Sequence, residues 1–78
     1  MAQVNLYASA RAALGQSQVE LTAASLGELL AALGAKNVKL AKLLPTCTYL
    51  LNGIACEDME HKILQGDQID VLPQFAGG

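Results

Sequence analysis

The chain has few of the residues that carry out catalysis or bind nucleic acid. Of its 78 residues only 15% are charged, and five Lys and Arg stand against seven Asp and Glu, for a formal net charge of −2. Contacts to nucleic-acid phosphates need clustered Lys and Arg, so this composition argues against a DNA- or RNA-binding role. Because 53% of the residues are apolar, we expect a protein partner to cover part of the apolar surface.

Sulfur and imidazole ligands are also scarce. Histidine occurs once, at His61, and cysteine twice, at Cys47 and Cys56. Without CxxC spacing or clustered histidines, no zinc or iron–sulfur site is expected, and no metal is predicted. His61 has no Ser or Cys at motif spacing, and no glycine-rich phosphate loop occurs. We therefore predict that the chain is not an enzyme on its own and binds no cofactor.

Long apolar runs are absent as well. No run approaches the roughly 20 residues of a membrane span, and the first residues lack the basic and apolar regions of a signal peptide. A cytoplasmic protein without a membrane partner is predicted. At 78 residues the chain can form only one domain.

Alternating apolar residues predict strands at residues 4–7, 18–22 and 68–72. The Ala-rich residues 9–14 are expected to be a short connector that ends at Gly15. Residues 36–44 fit a short helical turn that Pro45 ends.

The clearest helix signal begins at Ser25, which forms a capping-box pattern with Glu28. Gly34 is expected to take the left-handed conformation just after the helix. The spacing of four leucines places them on one face, which must pack on a sheet: Leu26, Leu29, Leu30 and Leu33.

Asn52 and Gly53 form the strongest hairpin signal, because both turn positions of a type I′ turn need positive φ. In that hairpin Tyr49 faces Cys56, and Cys47 is a diagonal neighbour about 7–8 Å away between Cα atoms. That separation does not favour a disulfide, so both thiols are expected to be reduced.

The last strand has Ile69 and Val71 inward and Leu72 outward. Crossover rules let this strand lie beside the first. The element order therefore predicts an α+β fold in the β-grasp arrangement, a mixed sheet of four to five strands covered on one face by a helix. We assign residues 1–73 to this domain.

Residues 74–78 are expected to form a flexible tail that ends in Gly77 and Gly78, which have no Cβ. A thin tail suits a carboxylate that must enter a narrow channel to meet ATP, where an acyl-adenylate on Gly78 can be attacked by sulfur to give a thiocarboxylate. Gly77 would provide clearance. Terminal glycines also occur as frayed ends. The residues predicted to dock on a partner are Leu72, Pro73, Gln74, Phe75 and Ala76.

Several segments together resemble the sulfur-carrier family of β-grasp proteins, and within it most closely the small subunits of molybdopterin synthase. They are residues 4–8 with Arg11 and Gly15, residues 26–30, residues 51–53, and residues 64–73 followed by the terminal glycines. The resemblance covers nearly the whole chain. Gln74 and Phe75 depart from the family's tail, which often has two prolines and a small β-branched residue there, so partner choice is in question at these positions.

This resemblance implies three partners: an adenylating enzyme of the ubiquitin-activating class that uses ATP, a sulfurtransferase as sulfur source, and the large subunit of molybdopterin synthase. Sulfur would then reach a pterin precursor of the molybdenum or tungsten cofactor. Three alternatives stay open: a sulfur carrier for thiazole and thiamine synthesis or another sulfur-transfer pathway, a ubiquitin-like protein modifier, and a plain binding module that uses Leu72, Phe75 and the sheet face.

Overall fold

Residues 1–74, the part of the chain that the computed structural model describes, form a five-stranded sheet and three α-helices. In chain order the elements are β1 (Ala2–Leu6), α1 (Ala8–Leu14), β2 (Gln18–Leu21), α2 (Leu26–Gly34), α3 (Val38–Leu43), a 3-10 turn (Leu44–Thr46), β3 (Thr48–Leu51), β4 (Ile54–Ala55) and β5 (Gln68–Leu72). No helix among these residues is long and apolar enough to cross a membrane.

The strands lie in the order β2-β1-β5-β3-β4. β1 and β5 run parallel, whereas β1 pairs with β2, and β3 pairs with both β4 and β5, in antiparallel fashion. The last strand therefore lies in the middle of the sheet beside the first, and the predicted mixed sheet is confirmed.

One face of the sheet carries the core. Alternate residues of β1 and β5 are fully or almost fully buried, including Ile69 and Val71, as their parity predicted. The four leucines of α2 pack into the same cluster, together with Ala10 of α1 and Leu40 of α3. The helices thus cover one face, and the opposite face of the sheet carries the intervening side chains. We call that opposite side the open face.

The predicted start of α2 is confirmed. Ser25 Oγ accepts a hydrogen bond from the Glu28 N–H at 3.2 Å, and the Glu28 carboxylate accepts one from the Ala24 N–H at 3.0 Å, one residue before the expected position. The prediction that Gly34 takes the left-handed conformation after the helix is wrong. Gly34 is the last helical residue, and Ala35 after it is right-handed, because the chain turns directly into the next helix.

The connector expected at residues 9–14 is also wrong, because Ala8–Leu14 is a helix. Alanine has the highest helix propensity, yet it gives no periodic signal from large apolar residues, and only Ala10 of this helix is buried. Gly15 ends the helix as predicted, with φ of 82° and its N–H bonded to the Arg11 carbonyl at 2.8 Å. The helical turn predicted within residues 36–44 is present as α3.

The hairpin at Asn52 and Gly53 is confirmed. Their φ values are 51° and 85°, as a type I′ turn needs, and Leu51 pairs with Ile54. Cys47 and Cys56 are free, as expected.

Candidate functional site

The end of β5 is the base from which the predicted tail departs. The strand is paired on both sides up to its end, through Val71 to Leu6 on β1 and through Leu72 to Thr48 on β3. Pro73 is buried and Gln74 is exposed. A strand bonded on both edges cannot shift without breaking both ladders, so the exit point of the chain is fixed relative to the whole sheet.

Leu72 lies half-buried on the open face. Leu50 pairs with Asp70 on the same face and is therefore a diagonal neighbour of Leu72, within reach of its side chain. Continuing the β1–β5 register by one residue brings the extended Tyr7 beside Leu72, and Tyr7 is 42% exposed. We call Tyr7, Leu50 and Leu72 the tail-base patch. It is an apolar surface that adjoins the exit point of the chain.

Next to this patch, three polar side chains are joined across the two central strands. The Gln3 side-chain amide donates to Asn5 Oδ1 at 2.9 Å, and the Asn5 amide donates to Asp70 Oδ1 at 2.8 Å. Asn5 and Asp70 are directly paired in the parallel register. This cross-strand row stabilises the register of β5 on the side opposite the core.

The start of β5 is held by two turns that bond to each other. The Asn52 side chain donates to Asp67 Oδ1 at 3.0 Å and accepts from the Gln68 N–H at 2.9 Å. Asp67 Oδ2 accepts from the Leu64 N–H at 2.8 Å. The hydrogen bonds from Leu64 and Asn52 favour the ionised carboxylate and lower the pKa of Asp67 below its ordinary value. We call Asn52 and Asp67 the turn clamp.

Cys47 is not suited to serve as a nucleophile. The Cys47 thiol donates to the Leu43 carbonyl at 3.3 Å, and burial raises the pKa of Cys47 above its ordinary value. Burial, and then the charge of Cys47, raise the pKa of the nearby Tyr49, whose hydroxyl donates to the Leu44 carbonyl. Because the thiolate is the reactive form, Cys47 is held in its unreactive state near neutral pH.

The described residues offer no catalytic or metal-binding constellation. Within residues 1–74 no group of three or more His, Cys, Asp and Glu side chains could hold a metal ion. His61 is exposed, and its backbone bonds to Leu26 and Asp58. The site is therefore a surface and an exit point for the chain.

Of the predicted docking residues, the structure places Leu72, Pro73 and Gln74 in sequence at the end of β5. Phe75, Ala76, Gly77 and Gly78 lie outside the described residues, and their predicted roles stay predictions, as does the domain boundary after residue 73. A buried proline ring offers little surface, so we expect Leu72 and Gln74 to contribute more contact than Pro73.

Sequence reasoning missed Leu50, Tyr7 and the turn clamp. The parity of residues 48–51 could have revealed Leu50, since Tyr49 and Leu51 point to the core side and leave Leu50 on the open face with Leu72. No sequence signal joins Asn52 to Asp67, because their contact depends on how β3 and β5 pair.

The fold is that of a ubiquitin-like β-grasp protein. A family model described as the ThiS family matches residues 4–78. The chain belongs to the ThiS family. No curated protein sequence matches it significantly.

Solved structures share the fold at low sequence identity. Small archaeal modifier protein 1 from Methanosarcina acetivorans is 23% identical with a TM-score of 0.87, over 99% of this chain and 95% of that one. Subunits 1 and 2 of the molybdopterin-converting factor from Helicobacter pylori form a complex in which the matched chain is 23% identical, with a TM-score of 0.74 over 99% and 97%. In the BexX/CysO complex from Amycolatopsis orientalis the matched chain is 20% identical, with a TM-score of 0.81 over 100% of both chains. The β-grasp prediction is confirmed.

Proposed function

We propose that the chain is a sulfur carrier whose Gly78 carboxylate is adenylated and then converted to a thiocarboxylate. The family match carries this proposal, because it runs from residue 4 to residue 78 and so includes both predicted tail glycines. The partner enzyme supplies ATP. The carboxylate oxygen attacks the α-phosphorus and releases pyrophosphate, and a sulfur nucleophile then displaces AMP from the acyl-adenylate.

The position of the exit point supports this role, because the length of the tail limits how far Gly78 can lie from the domain. Residues 74–78 span at most about 18 Å when fully extended. A partner's nucleotide site must therefore come within that distance of Pro73, and its surface must meet the domain close to the exit point. The tail-base patch lies there, so we assign it to docking of the adenylating enzyme.

The acceptor that we propose is the large subunit of molybdopterin synthase, with a sulfurtransferase as sulfur source and the cytoplasm as location. The support is a chain of the same fold that forms a complex in the Helicobacter pylori molybdopterin-converting factor. Thiazole and thiamine synthesis, or another sulfur-transfer pathway, is the alternative destination of the sulfur.

Mass spectrometry tests the carrier proposal. The chain is incubated with a candidate activating enzyme and ATP, first without and then with sulfide. We expect hydroxylamine to trap a hydroxamate at Gly78 in the first reaction, and a mass gain equal to the exchange of one oxygen for one sulfur in the second. A chain extended by one residue beyond Gly78 should give neither product, whereas Glu20→Lys on the remote β2 should give both. Failure of the unaltered chain with an enzyme that activates another ThiS-family chain would contradict the proposal.

A second candidate is a ubiquitin-like protein modifier, favoured by the structural likeness to small archaeal modifier protein 1. In that case Gly78 would be joined to lysine side chains of other proteins. Isopeptide-linked adducts in extracts of cells that express a tagged chain would support this function, and their loss on deletion of Gly78 would be the control.

A further inference from the structure

The helical side of the molecule carries charges of opposite sign on two neighbouring surfaces. Lys36, Lys39 and Lys42 are exposed and line a groove between α1 and α3, together with Ala12 and Ala13 of α1. These lysines are three of the five cations in the chain. The groove has a volume of about 1260 Å³, which exceeds the roughly 300–1,000 Å³ of a small-molecule pocket and fits a protein surface better.

The acidic surface is the loop at residues 57–60, in which Glu57, Asp58 and Glu60 are exposed. This loop is fixed against α2, since the Gly27 N–H donates to the Met59 carbonyl at 2.8 Å. A Cβ on Gly27 would lie 3.1 Å from that carbonyl oxygen, so the close approach depends on glycine. Met59 itself is 41% exposed and adds an apolar contact beside the acids.

An apolar strip separates the two charged surfaces. Gly34 and Ala41 line the lysine groove, and they also line a second groove that Met59 borders. The two helices meet closely here, since a Cβ on Gly34 would lie 3.4 Å from the Ala41 Cβ. Ala31, Ala41 and Pro45 are exposed along this strip. The surface therefore runs from lysines, through small apolar residues, to acids, and we call it the bipolar face.

A face with this order of charges is complementary to itself. When two copies meet about a two-fold axis through the apolar strip, the lysines of each copy lie against the acidic loop of the other, and both contacts are attractive. Such an arrangement uses each face once and closes at two copies. This pairing requires the axis to run along the strip, between the two charged surfaces, because an axis running from the lysines to the acids would place like charges against each other.

We propose that the bipolar face is a homodimer interface, formed by a second copy of this chain in two-fold arrangement. The tail-base patch lies on the open face, on the other side of the sheet, so the dimer leaves it uncovered. Association should be weak and salt-dependent, because the charged groups are exposed and their attraction falls as the Debye length shortens from about 30 Å at 0.01 M to about 3 Å at 1 M ionic strength.

Sedimentation equilibrium on the full chain tests this proposal from micromolar to millimolar concentration at low and high salt. We expect a monomer–dimer equilibrium that stops at two copies and weakens at least about tenfold between those ionic strengths. The double variants Lys39→Glu/Lys42→Glu and Glu57→Lys/Glu60→Lys should each be monomeric. Mixed in equal amounts they should form a one-to-one dimer, because each contact then again joins opposite charges.

Glu20→Lys, the same change of charge on the open face, is the control and should dimerise like the unaltered chain. All substituted residues are exposed, and circular dichroism should confirm that each variant folds. The proposal is overturned if the unaltered chain stays monomeric at low salt, if assemblies grow beyond two copies, or if the mixed variants do not associate. Loss of activation in the lysine variant, with a monomeric unaltered chain, would assign the face to a partner protein instead.

Discussion

The two ends of β5 are held in different ways. At its start, the turn clamp joins Asn52 and Asp67 by side-chain hydrogen bonds, and Gln68 is bonded to the same asparagine. At its end, the ladder stops at Leu72, Pro73 is buried, and the chain leaves the sheet at Gln74. One short strand thus connects an end that stabilises the domain with an end that we propose presents the chain to a partner. Substitutions at the two ends should therefore separate stability from activation.

A substitution inside β5 should give the largest loss of stability, because both ends of the strand depend on its pairing in the sheet. Ile69 is fully buried between β1 and β3. Ile69→Ala is expected to lower the free energy of unfolding by about 3 kcal/mol, from lost burial and the cavity left behind. Urea denaturation measures this change.

A loss of that size would unfold much of so small a domain. Ile69→Val is therefore the milder substitution to compare, with an expected loss of about 1 kcal/mol in the free energy of unfolding. Activation should fall only as the folded fraction falls. A loss of activation in the fully folded valine variant would show that the two ends of the strand are not independent.

At the exit end, Leu72→Ala should impair activation more than stability. Removal of a docking contact raises KM with little change in kcat, and we expect kcat/KM with the activating enzyme to fall about tenfold, equivalent to about 1.4 kcal/mol. Pyrophosphate exchange measures this rate.

Leu64 gives a matched control at the clamped end, since it is 63% exposed and adjoins the Asp67 turn. Leu64→Ala should leave kcat/KM unchanged. Equal losses in both leucine variants would remove the tail-base patch from the docking surface.

At the clamped end, Asn52→Gly should lower stability and leave activation unchanged, the opposite of Leu72→Ala. Glycine keeps the positive φ of 51° but loses both side-chain hydrogen bonds, so we expect a stability loss of about 1 kcal/mol and unchanged activation. Asn52→Ala adds the cost of a left-handed alanine, about 1 kcal/mol more. Urea midpoints of the two variants separate the hydrogen bonds from the backbone conformation. A glycine variant as stable as the unaltered chain would mean that the clamp contributes nothing.

The smallest effect should come from titration of Asp67. Its pKa is lowered in the folded chain, so its contribution is present above the unfolded value of about 3.9 and is lost as pH falls through the folded value. The stability advantage over Asp67→Asn should therefore be full above about pH 5 and shrink below about pH 4. Urea midpoints of the two proteins, compared above pH 5, between pH 5 and pH 4, and below pH 4, measure this stability difference. A constant difference across this range would show that the carboxylate charge is not what the turn clamp uses.

The elements that could be predicted from the sequence were those with a strong local signal. Ser25 with Glu28 predicted the start of α2, Asn52 with Gly53 predicted the hairpin, and the parity of Ile69 and Val71 predicted the core side of β5. These features depend on neighbouring residues, through capping, positive φ and alternation.

What could not be predicted depended on distant pairing. Helix α1 buries only an alanine, so its pattern contains no large apolar period. The contact of Asn52 with Asp67 and the diagonal placement of Leu50 beside Leu72 exist only once β3 and β5 are in register. The sequence therefore indicated where along the chain the candidate site lies, but not which residues of other strands lie beside it, because those depend on strand pairing.

The central position of β5 also has a consequence for how the domain folds. β1 with β2, and β3 with β4, are the two halves of the sheet, and among the strands of residues 1–74 they share no partner except β5. Residues 68–72 are the last of the strands to emerge during synthesis, so until then the halves remain unjoined hairpin-like pieces with open edges. Closure then requires contacts across more than sixty positions, between Gln3 and Gln68 for example. Such non-local closure is slow relative to helix formation, which makes the insertion of β5 the expected rate-limiting event.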